Sequence, residues 1–149
     1  MNEELQNLLY REELTLAPLK KRAAAFIIDE VLLSFLLIFA LWDSFMGAKT
    51  LEEMIIVTNS FVLEFMMMKI IYQAFFVLQY GATLGKITMK IRVIEIKTFQ
   101  SPNVVVSINR AIFRVISELF LYLGFLWGML DQTRQTWHDK TARTIVIDA

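Results

Sequence analysis

The chain has 149 residues, which suits one compact unit and is too short for two ordinary domains. Hydrophobic residues make up 56% of it, more than the roughly 45–50% of soluble domains, which indicates a membrane protein. The 15 basic residues balance the 15 acidic ones, so no overall field attracts nucleic acid and we expect no nucleic-acid partner. There is no cysteine and His138 is the only histidine, which excludes disulfides, thiolate metal sites and multi-histidine metal centres.

The N-terminal segment, residues 1–19, has the pattern of a short amphipathic helix that ends at Pro18. We expect this segment either to lie on the membrane surface or to cap the helices that follow. The remaining residues, 20–148, are predicted to form one membrane domain.

The first long apolar stretch runs from Ala23 to Trp42 and carries two acids, Asp29 and Glu30. At ~1.5 Å rise per residue, a helix of this length can cross a ~30 Å hydrocarbon core. The stretch therefore predicts a transmembrane helix over about 22–42.

The second apolar stretch predicts a helix over about 55–79, which contains Glu64 and Lys69. These two charges are five residues apart, roughly 140° around a helix, so they cannot both face one partner well.

The third apolar stretch predicts a helix over about 108–130. Arg110, Arg114 and Glu118 follow one another at four-residue spacing and form a charged stripe. We expect this stripe to meet an acid of the first or second helix, Asp29 or Glu64, inside the bundle. The stretch either forms one straight helix or is kinked and re-entrant, turning near 122–124.

Basic residues are concentrated before the first helix and in segment 81–110, whereas the link 43–53 carries Lys49 beside three acids. The positive-inside rule predicts that the N-terminus and segment 81–110 are cytoplasmic and that the link is outside. We therefore expect a multi-pass protein of the cell (inner) membrane. The side of the C-terminus stays open, because a straight third helix would place it outside whereas its basic residues favour the cytoplasm.

Segment 81–110 is predicted to form a small cytoplasmic β-hairpin over about 86–106. Residues 91–97 alternate apolar and polar side chains like a half-buried strand, and residues 104–106 are β-branched. The tail, 144–147, is another strand-like run whose natural partner is the strand at 91–97. The predicted fold class is an all-α membrane protein with three apolar helical segments and this small hairpin.

Three motifs follow one another along residues 18–148. The first helix carries an arginine and, seven residues later, an aspartate; G-x-T-L-G-K follows the second helix; and R-x-x-H-D-K-x-x-x-T lies near the end. Together they resemble the RDD family of small membrane proteins, named for one arginine and two aspartates. The matching positions are Arg22, Asp29, Gly81, Thr83, Leu84, Gly85, Lys86, Arg134, His138, Asp139, Lys140 and Thr144.

The resemblance gives Arg22 the role of the family arginine and makes Asp29 and Asp139 the two aspartates. The chain departs from the family pattern at Glu30, which adds a second acid, and at Arg143, where many members have glycine. The family has been proposed to transport ligands or ions, including sodium–proton exchange for some members. The resemblance implies such a role without implying a substrate.

Asp29 is the leading functional candidate, because it lies ~10 Å beyond Arg22 along the helix, where an acid costs at least ~2.5–3.5 kcal/mol. Such a residue usually faces a partner helix or water, and the alternative is a pairing that only locks helices together. The candidates for ion or proton binding, or for helix pairing, are Arg22, Asp29, Glu30, Glu64, Arg114 and Glu118.

A second group of candidates forms a cytoplasmic motif. The closing residues are expected either to bind lipid phosphate or to hold the tail to the hairpin. Asp139 would clamp the tail through basic residues such as Lys86 and Arg110, with Lys90 and Arg92 as further partners. His138 would order the turn or sense pH near its ordinary pKa of ~6.5. The members of the motif are Gly81, Gly85, Lys86, Arg134, His138, Asp139 and Lys140.

Two functions are compatible with these features. One is a small ion- or solute-coupled carrier, acting as a homo-oligomer, in which Asp29, helped by Glu30 or Glu64, binds a proton or monovalent cation. The other is a non-transporting scaffold or accessory subunit whose buried charges specify helix assembly. We expect no enzyme, cofactor or metal, because the sequence contains no phosphate loop or catalytic motif. The expected partners are the lipid bilayer and further copies of the chain.

Overall fold

The computed structural model describes residues 2–149, so position 1 of the predicted N-terminal segment lies outside the described residues. This part of the chain is mainly helical and contains one small sheet. The elements in chain order are α1 (Asn2–Arg11), α2 (Leu19–Ala40), α3 (Trp42–Gly47), α4 (Leu51–Ser60), α5 (Val62–Tyr80), α6 (Leu84–Thr88), β1 (Ile91–Glu95), α7 (Val104–Leu119), α8 (Leu123–Leu130), α9 (Trp137–Ala142) and β2 (Thr144–Asp148).

Within the described residues, α2 and α5 are the two helices that are long and apolar enough to cross a membrane, with mean hydropathies of 2.3 and 1.4. Only 17% and 22% of their most apolar windows is buried by the chain itself, whereas the core helix of a soluble protein would be mostly buried. Their outer faces expose large apolar side chains such as Phe35, Phe39 and Leu63. Apolar faces of this size mark contact with a membrane or with another protein.

The second predicted helix is shorter than expected, because the chain breaks at Phe61. This residue has φ −111° and ψ 15°, which ends α4 and precedes α5. The first helix also ends slightly early, since Leu41 has φ −106° and ψ 21°. The short helices α3 and α4 therefore connect the two long ones.

The third apolar segment is two helices rather than one. Leu121 and Tyr122 have φ angles of 52° and 61°, left-handed conformations through which an α-helix does not continue. The chain then folds α8 back against α7, where a side chain on Gly124 would collide with Ser117. The kinked alternative is therefore correct, and the expectation of a straight third helix is wrong.

The hairpin expected over about 86–106 does not form. Strand β1 pairs instead with β2 from the tail, antiparallel, with Val93 opposite Val146. The β-branched residues expected as the second strand open α7, because Asn103 accepts the backbone N–H of Val106 at 3.0 Å and caps that helix. The pairing of the tail with the strand at 91–97 is confirmed, while the hairpin itself is wrong.

The N-terminal segment caps this sheet. Leu5 and Leu9 of α1 are buried against Ile94 in one apolar cluster, and Leu16 forms a bridge with Ile147 of β2. Fully burying a leucine side chain contributes roughly 1.5–3 kcal/mol, so both contacts favour this position of α1. Helix α1 thus packs against the sheet and not, as the capping alternative expected, against the helices that follow it. We call α1, β1 and β2 together the sheet end.

Candidate functional site

Ionisable side chains from α2, α5, α7 and α9 meet in the interior and form three neighbouring clusters. Each cluster connects elements that are far apart in the sequence. The tail cluster comprises Arg22, Arg110, Thr136, His138 and Asp139; the Asp29 cluster comprises Asp29, Tyr72, Thr83 and Gly85; and the deep cluster comprises Glu30, Lys69, Arg114 and Glu118.

Asp139 is the centre of the tail cluster and is fully buried. Arg22 Nη2 donates to its Oδ2 at 2.5 Å, and Arg110 Nη1 donates to its Oδ1 at 2.5 Å. The backbone N–H and the hydroxyl of Thr136 also donate to Oδ2, at 3.1 and 2.8 Å. Burial alone would raise the pKa of Asp139, but the guanidiniums of Arg22 and Arg110 hold that pKa well below its usual range. The carboxylate is therefore ionised and fully engaged.

The short helix α9 places Asp139 at this point. Thr136 is the N-cap, and Asp139 is the third helical residue, from which its carboxylate reaches back to the N-cap N–H. After the helix, Arg143 takes φ 53° and ψ 48°, which turns the chain into β2. This is a left-handed conformation that glycine adopts at less cost than arginine.

The predicted clamp of the tail exists, but it holds helices rather than a hairpin. Of the four basic residues expected to bind Asp139, only Arg110 forms a salt bridge with it, and the second salt bridge comes from Arg22 of α2. Lys86 contributes a longer-range attraction, and the other two expected partners are exposed. The tail is thereby tied to α2 and α7.

His138 lies beside this carboxylate in a buried position. Its Nε2 is 2.9 Å from the hydroxyl of Thr136, so the residue does order the turn before α9. Burial, reinforced by the positive charges of Arg110 and Lys86, lowers the pKa of His138 well below 6.5, although Asp139 opposes this shift. The expectation that it senses pH near its ordinary pKa is wrong.

Asp29 is the second buried acid, and its carboxylate joins α2, α5 and α6. Oδ1 accepts hydrogen bonds from the Tyr72 hydroxyl at 2.7 Å and from the Gly85 N–H at 2.9 Å. Oδ2 accepts one from the Thr83 hydroxyl at 2.7 Å, and Arg114 Nη1 lies 3.8 Å away. Although Arg22 lies on the same helix, its guanidinium binds Asp139 and not Asp29.

The G-x-T-L-G-K motif supplies two of these donors, and Gly85 lets the backbone approach. A Cβ there would collide with the backbone oxygen of Ala25 and lie 2.9 Å from Asp29 Oδ1. The motif is therefore a close contact between α6 and α2, and it holds the backbone of α6 against Asp29.

The deep cluster surrounds Lys69, a buried lysine inside α5. Its Nζ lies 2.7 Å from Glu30 Oε2 and 2.6 Å from Glu118 Oε2. Arg114 approaches the remaining oxygens, at 3.6 Å from Glu30 Oε1 and 3.5 Å from Glu118 Oε1. Neither of those two oxygens has a hydrogen-bond partner in the part of the chain that the structure describes.

The other predicted site residues lie outside the clusters. Glu64 is exposed and lines a groove between α2 and α5, so the stripe on α7 meets the acids of α2 instead. Arg134 donates to two backbone carbonyls before α2, at 3.4 and 3.3 Å. Lys140 forms a salt bridge of 2.6 Å with Asp131 near the surface. Gly81 ends α5 with φ 67°, the left-handed conformation that glycine favours.

Sequence reasoning did not select Lys69 or Tyr72 as site residues. A signal for Lys69 was available, because a lysine inside an apolar helix needs a partner at membrane depth. The five-residue spacing between Lys69 and Glu64 does not allow the two to pair on their own helix. The partners of Lys69 lie on α2 and α7. Tyr72 carried no such signal, since tyrosine is common in membrane helices.

These features define a membrane protein with two long apolar helices. Buried charge pairs join these helices to each other and to the C-terminal motif, which leads into strand β2 of the sheet. A model of the RDD family matches residues 16–143 of the chain. The protein therefore belongs to the RDD family, and the resemblance drawn from Arg22, Asp29 and Asp139 is confirmed. No curated protein and no solved structure matched the chain.

Proposed function

We propose that the protein is a small ion-coupled carrier in which the deep cluster binds a proton or a monovalent cation. The observation that carries this proposal is that Lys69 bridges two carboxylates at 2.7 and 2.6 Å, while one oxygen of each has no hydrogen-bond partner among the described residues. A proton or cation that pairs with Glu30 or Glu118 would compete with Lys69 for that carboxylate. Such a competition is a way to couple ion binding to helix movement.

A continuous series of charged side chains supports the passage of an ion or proton toward this cluster. Arg114 lies 3.8 Å from Asp29 and 3.6 Å from Glu30, so it touches the Asp29 cluster as well as the deep cluster. Charges this close in a low-dielectric interior interact strongly, so a change at one carboxylate is transmitted to the next. Ionisable residues at membrane depth mark ion or proton pathways by default.

We further propose that the carrier is a homo-oligomer. An apolar groove of about 650 Å³ separates α2 from α5, with Leu36, Met67 and Phe75 on its walls and Glu64 at its edge. A single chain with two long apolar helices encloses little volume for a pathway. A helix of a second copy would fill the groove and give Glu64 a partner across the interface.

The distribution of basic residues supports an orientation with the sheet end in the cytoplasm. Lys20, Lys21 and Arg22 lie in the first turn of α2, and segment 81–110 carries five further basic residues, whereas the link between α2 and α5 carries only Lys49. The N-terminus, β1 and the C-terminal tail would then all lie on the cytoplasmic side of the cell (inner) membrane, and α2 and α5 would each cross it.

A second function, a non-transporting scaffold or accessory subunit, is supported by a different observation. Asp29 and Asp139 are both fully engaged, each accepting at least three hydrogen bonds from several elements. Acids held in this way are suited to specify how helices pair, because removing one partner leaves an uncompensated buried charge. Under this second function, the deep cluster likewise serves only to hold helices together.

Ion flux in proteoliposomes tests the carrier. We expect the wild-type protein to dissipate an imposed pH or sodium gradient faster than protein-free vesicles do. Glu30→Gln and Glu118→Gln should each slow this flux by tenfold or more, if loss of one charge costs about 1.4 kcal/mol of coupling. Glu52→Gln, the same change at an exposed position of α4, should leave it unchanged.

The same preparations test the scaffold. Flux at the protein-free rate for the wild type, together with loss of the oligomer in Glu30→Gln, would favour the scaffold and contradict the carrier. Flux that persists in both deep-cluster variants would contradict the assignment of the ion site to this cluster.

A further inference from the structure

A cavity of about 440 Å³ lies on the side of α2 that faces α8 and α9. This volume falls within the range of roughly 300–1,000 Å³ that small-molecule sites occupy. One part of its wall is charged, with Lys20 at the exposed margin and Arg22, Lys86 and Arg114 inside. Asp29 also lines this part, and its carboxylate already accepts hydrogen bonds from Tyr72, Thr83 and Gly85. The opposite part is apolar and consists of Phe26, Phe125, Leu126 and Met129. The cavity therefore offers a charged end and a hydrocarbon end.

Lys86 is the buried cation in this wall that lacks an anion among the described residues. It is buried and sits in α6, and its ammonium forms no salt bridge within the described part of the chain. Burial, and after it the guanidiniums of Arg110 and Arg114, lower the pKa of Lys86 well below 10.5, against the weaker opposing effects of Asp139 and Asp29. An anion in the cavity would supply the missing partner and favour the charged lysine.

His138 adds a hydrogen-bond acceptor to the same wall. The single hydroxyl hydrogen of Thr136 goes to Asp139 Oδ2 at 2.8 Å, so the hydroxyl oxygen must accept from His138 Nε2 at 2.9 Å. In the neutral ring Nδ1 then carries a lone pair, and this buried atom has no hydrogen-bond partner in the described residues. A ligand with a hydroxyl group can donate to it.

The apolar side of the cavity opens where the protein surface is itself apolar. Ile27, Leu126 and Met129 line the cavity and are 59%, 51% and 64% exposed. On helices of a membrane protein, side chains of this kind face hydrocarbon. A ligand can therefore enter from the bilayer and leave its chain along α2 and α8.

We propose that this cavity binds an anionic phospholipid, with the phosphate against Lys86 and Arg114, a headgroup hydroxyl on His138 Nδ1, and an acyl chain between α2 and α8. A phospholipid with a glycerol headgroup provides all three features. The cavity shares Arg114 with the deep cluster, but Lys69, Glu30 and Glu118 are not part of its lining. Lipid binding requires no ion transport, so the inference does not rest on the proposed carrier function.

Calorimetric titration of the detergent-solubilised full chain tests this site. The probes are dihexanoyl phosphatidylglycerol, the zwitterionic dihexanoyl phosphatidylcholine, and glycerol phosphate, which has the charged group without the chains. We expect phosphatidylglycerol to bind at least about tenfold more tightly than either of the others, because only it satisfies both ends of the cavity.

Matched variants locate the binding. Lys86→Met should weaken phosphatidylglycerol binding by about tenfold or more, the effect of losing one charge-assisted hydrogen bond. Lys97→Met, the same change at an exposed position after β1, should leave the affinity unchanged. Ala23→Trp fills the cavity mouth at an exposed position and should also abolish binding without removing a charge.

Three results would overturn the proposal. Equal binding of the two phospholipids would remove the role of the negative charge, and glycerol phosphate binding as tightly as phosphatidylglycerol would point to a free phosphate. Wild-type affinity in Ala23→Trp would show that the lipid binds elsewhere, and this variant decides the question even if Lys86→Met does not fold.

Discussion

Asp139, the third residue of α9, forms a salt bridge with Arg22 at the start of α2, across 117 positions of the sequence. Arg110 of α7 binds the other oxygen of the same carboxylate. One acid thus fastens the closing motif to the long apolar helix α2 and to the amphipathic helix α7. The salt bridge thus joins two of the residues on which the family resemblance was drawn, from opposite ends of the chain.

Asp139→Asn is expected to lower the free energy of unfolding by about 3–5 kcal/mol, because it leaves Arg22 and Arg110 buried without their counter-charge. Thermal unfolding and limited proteolysis of the tail in detergent measure the effect. Asp148→Asn is the matched control, since Asp148 pairs with Lys21 at a partly exposed site where a salt bridge contributes only ~0–1 kcal/mol. Equal unfolding temperatures for the two variants would contradict this role of Asp139.

Arg143→Gly is expected to stabilise the protein by about 1 kcal/mol, because arginine at φ 53° is held in a conformation that glycine adopts freely. Arg143→Ala keeps a Cβ and removes the same charge, so it should give no such gain. The comparison of their unfolding temperatures separates backbone strain from charge. A gain of equal size in both variants would attribute the effect to the charge.

Gly85→Ala is expected to destabilise the contact between α6 and α2 by at least ~1–3 kcal/mol, since the new methyl group would overlap the backbone of Ala25. The displacement should also break the hydrogen bond from Gly85 to Asp29. Gly47→Ala is the control, because no atom of the described residues outside its own helix lies within 4 Å of a Cβ at that position. Near-wild-type unfolding of Gly85→Ala would show that the close approach is not required.

His138 is expected to make the protein less stable as the pH falls below 6.5. The unfolded chain takes up a proton near pH 6.5, while the folded chain, whose His138 pKa lies well below that value, does not. Unfolding therefore becomes easier by up to about 1.4 kcal/mol per pH unit as the pH drops through this window.

The variant His138→Gln should flatten this dependence between pH 6.5 and about 4, in unfolding curves measured across that range. Asp139 does not mask the effect, because the pKa of this acid is held below 3.8 and its contribution is lost only at lower pH. Parallel pH profiles for the variant and the wild type would contradict the assignment.

The two long apolar helices could be predicted from the sequence, because a run of apolar residues long enough to span a bilayer has few other stable arrangements. The pairing of the tail strand was also predictable, because the half-buried strand at 91–97 has an edge that needs a hydrogen-bonding partner. The hairpin was predicted wrongly. The composition of Val104–Val106 favours a strand, but the cap at Asn103 places these residues in the first turn of α7.

For the candidate site, the sequence identified several of the buried charges but not their partners. Helical spacing correctly placed Arg22 and Asp29 on one face, yet these residues bind Asp139 and Tyr72 on other elements. Spacing along one helix carries no information about contacts between helices. Lys69 was missed for this reason, as its two carboxylates come from α2 and α7.

The decay of a pH gradient across proteoliposomes is the most direct test of the carrier, when the wild type is compared with the double variant Glu30→Gln/Glu118→Gln. The double variant removes both carboxylates that hold Lys69, and the two chains should be reconstituted at equal amounts and checked for equal folding. We predict that the wild type accelerates the decay over protein-free vesicles and that the double variant returns it to the protein-free rate. Decay at the same accelerated rate in both chains, or no acceleration by the wild type, would contradict an ion-coupled role for the deep cluster.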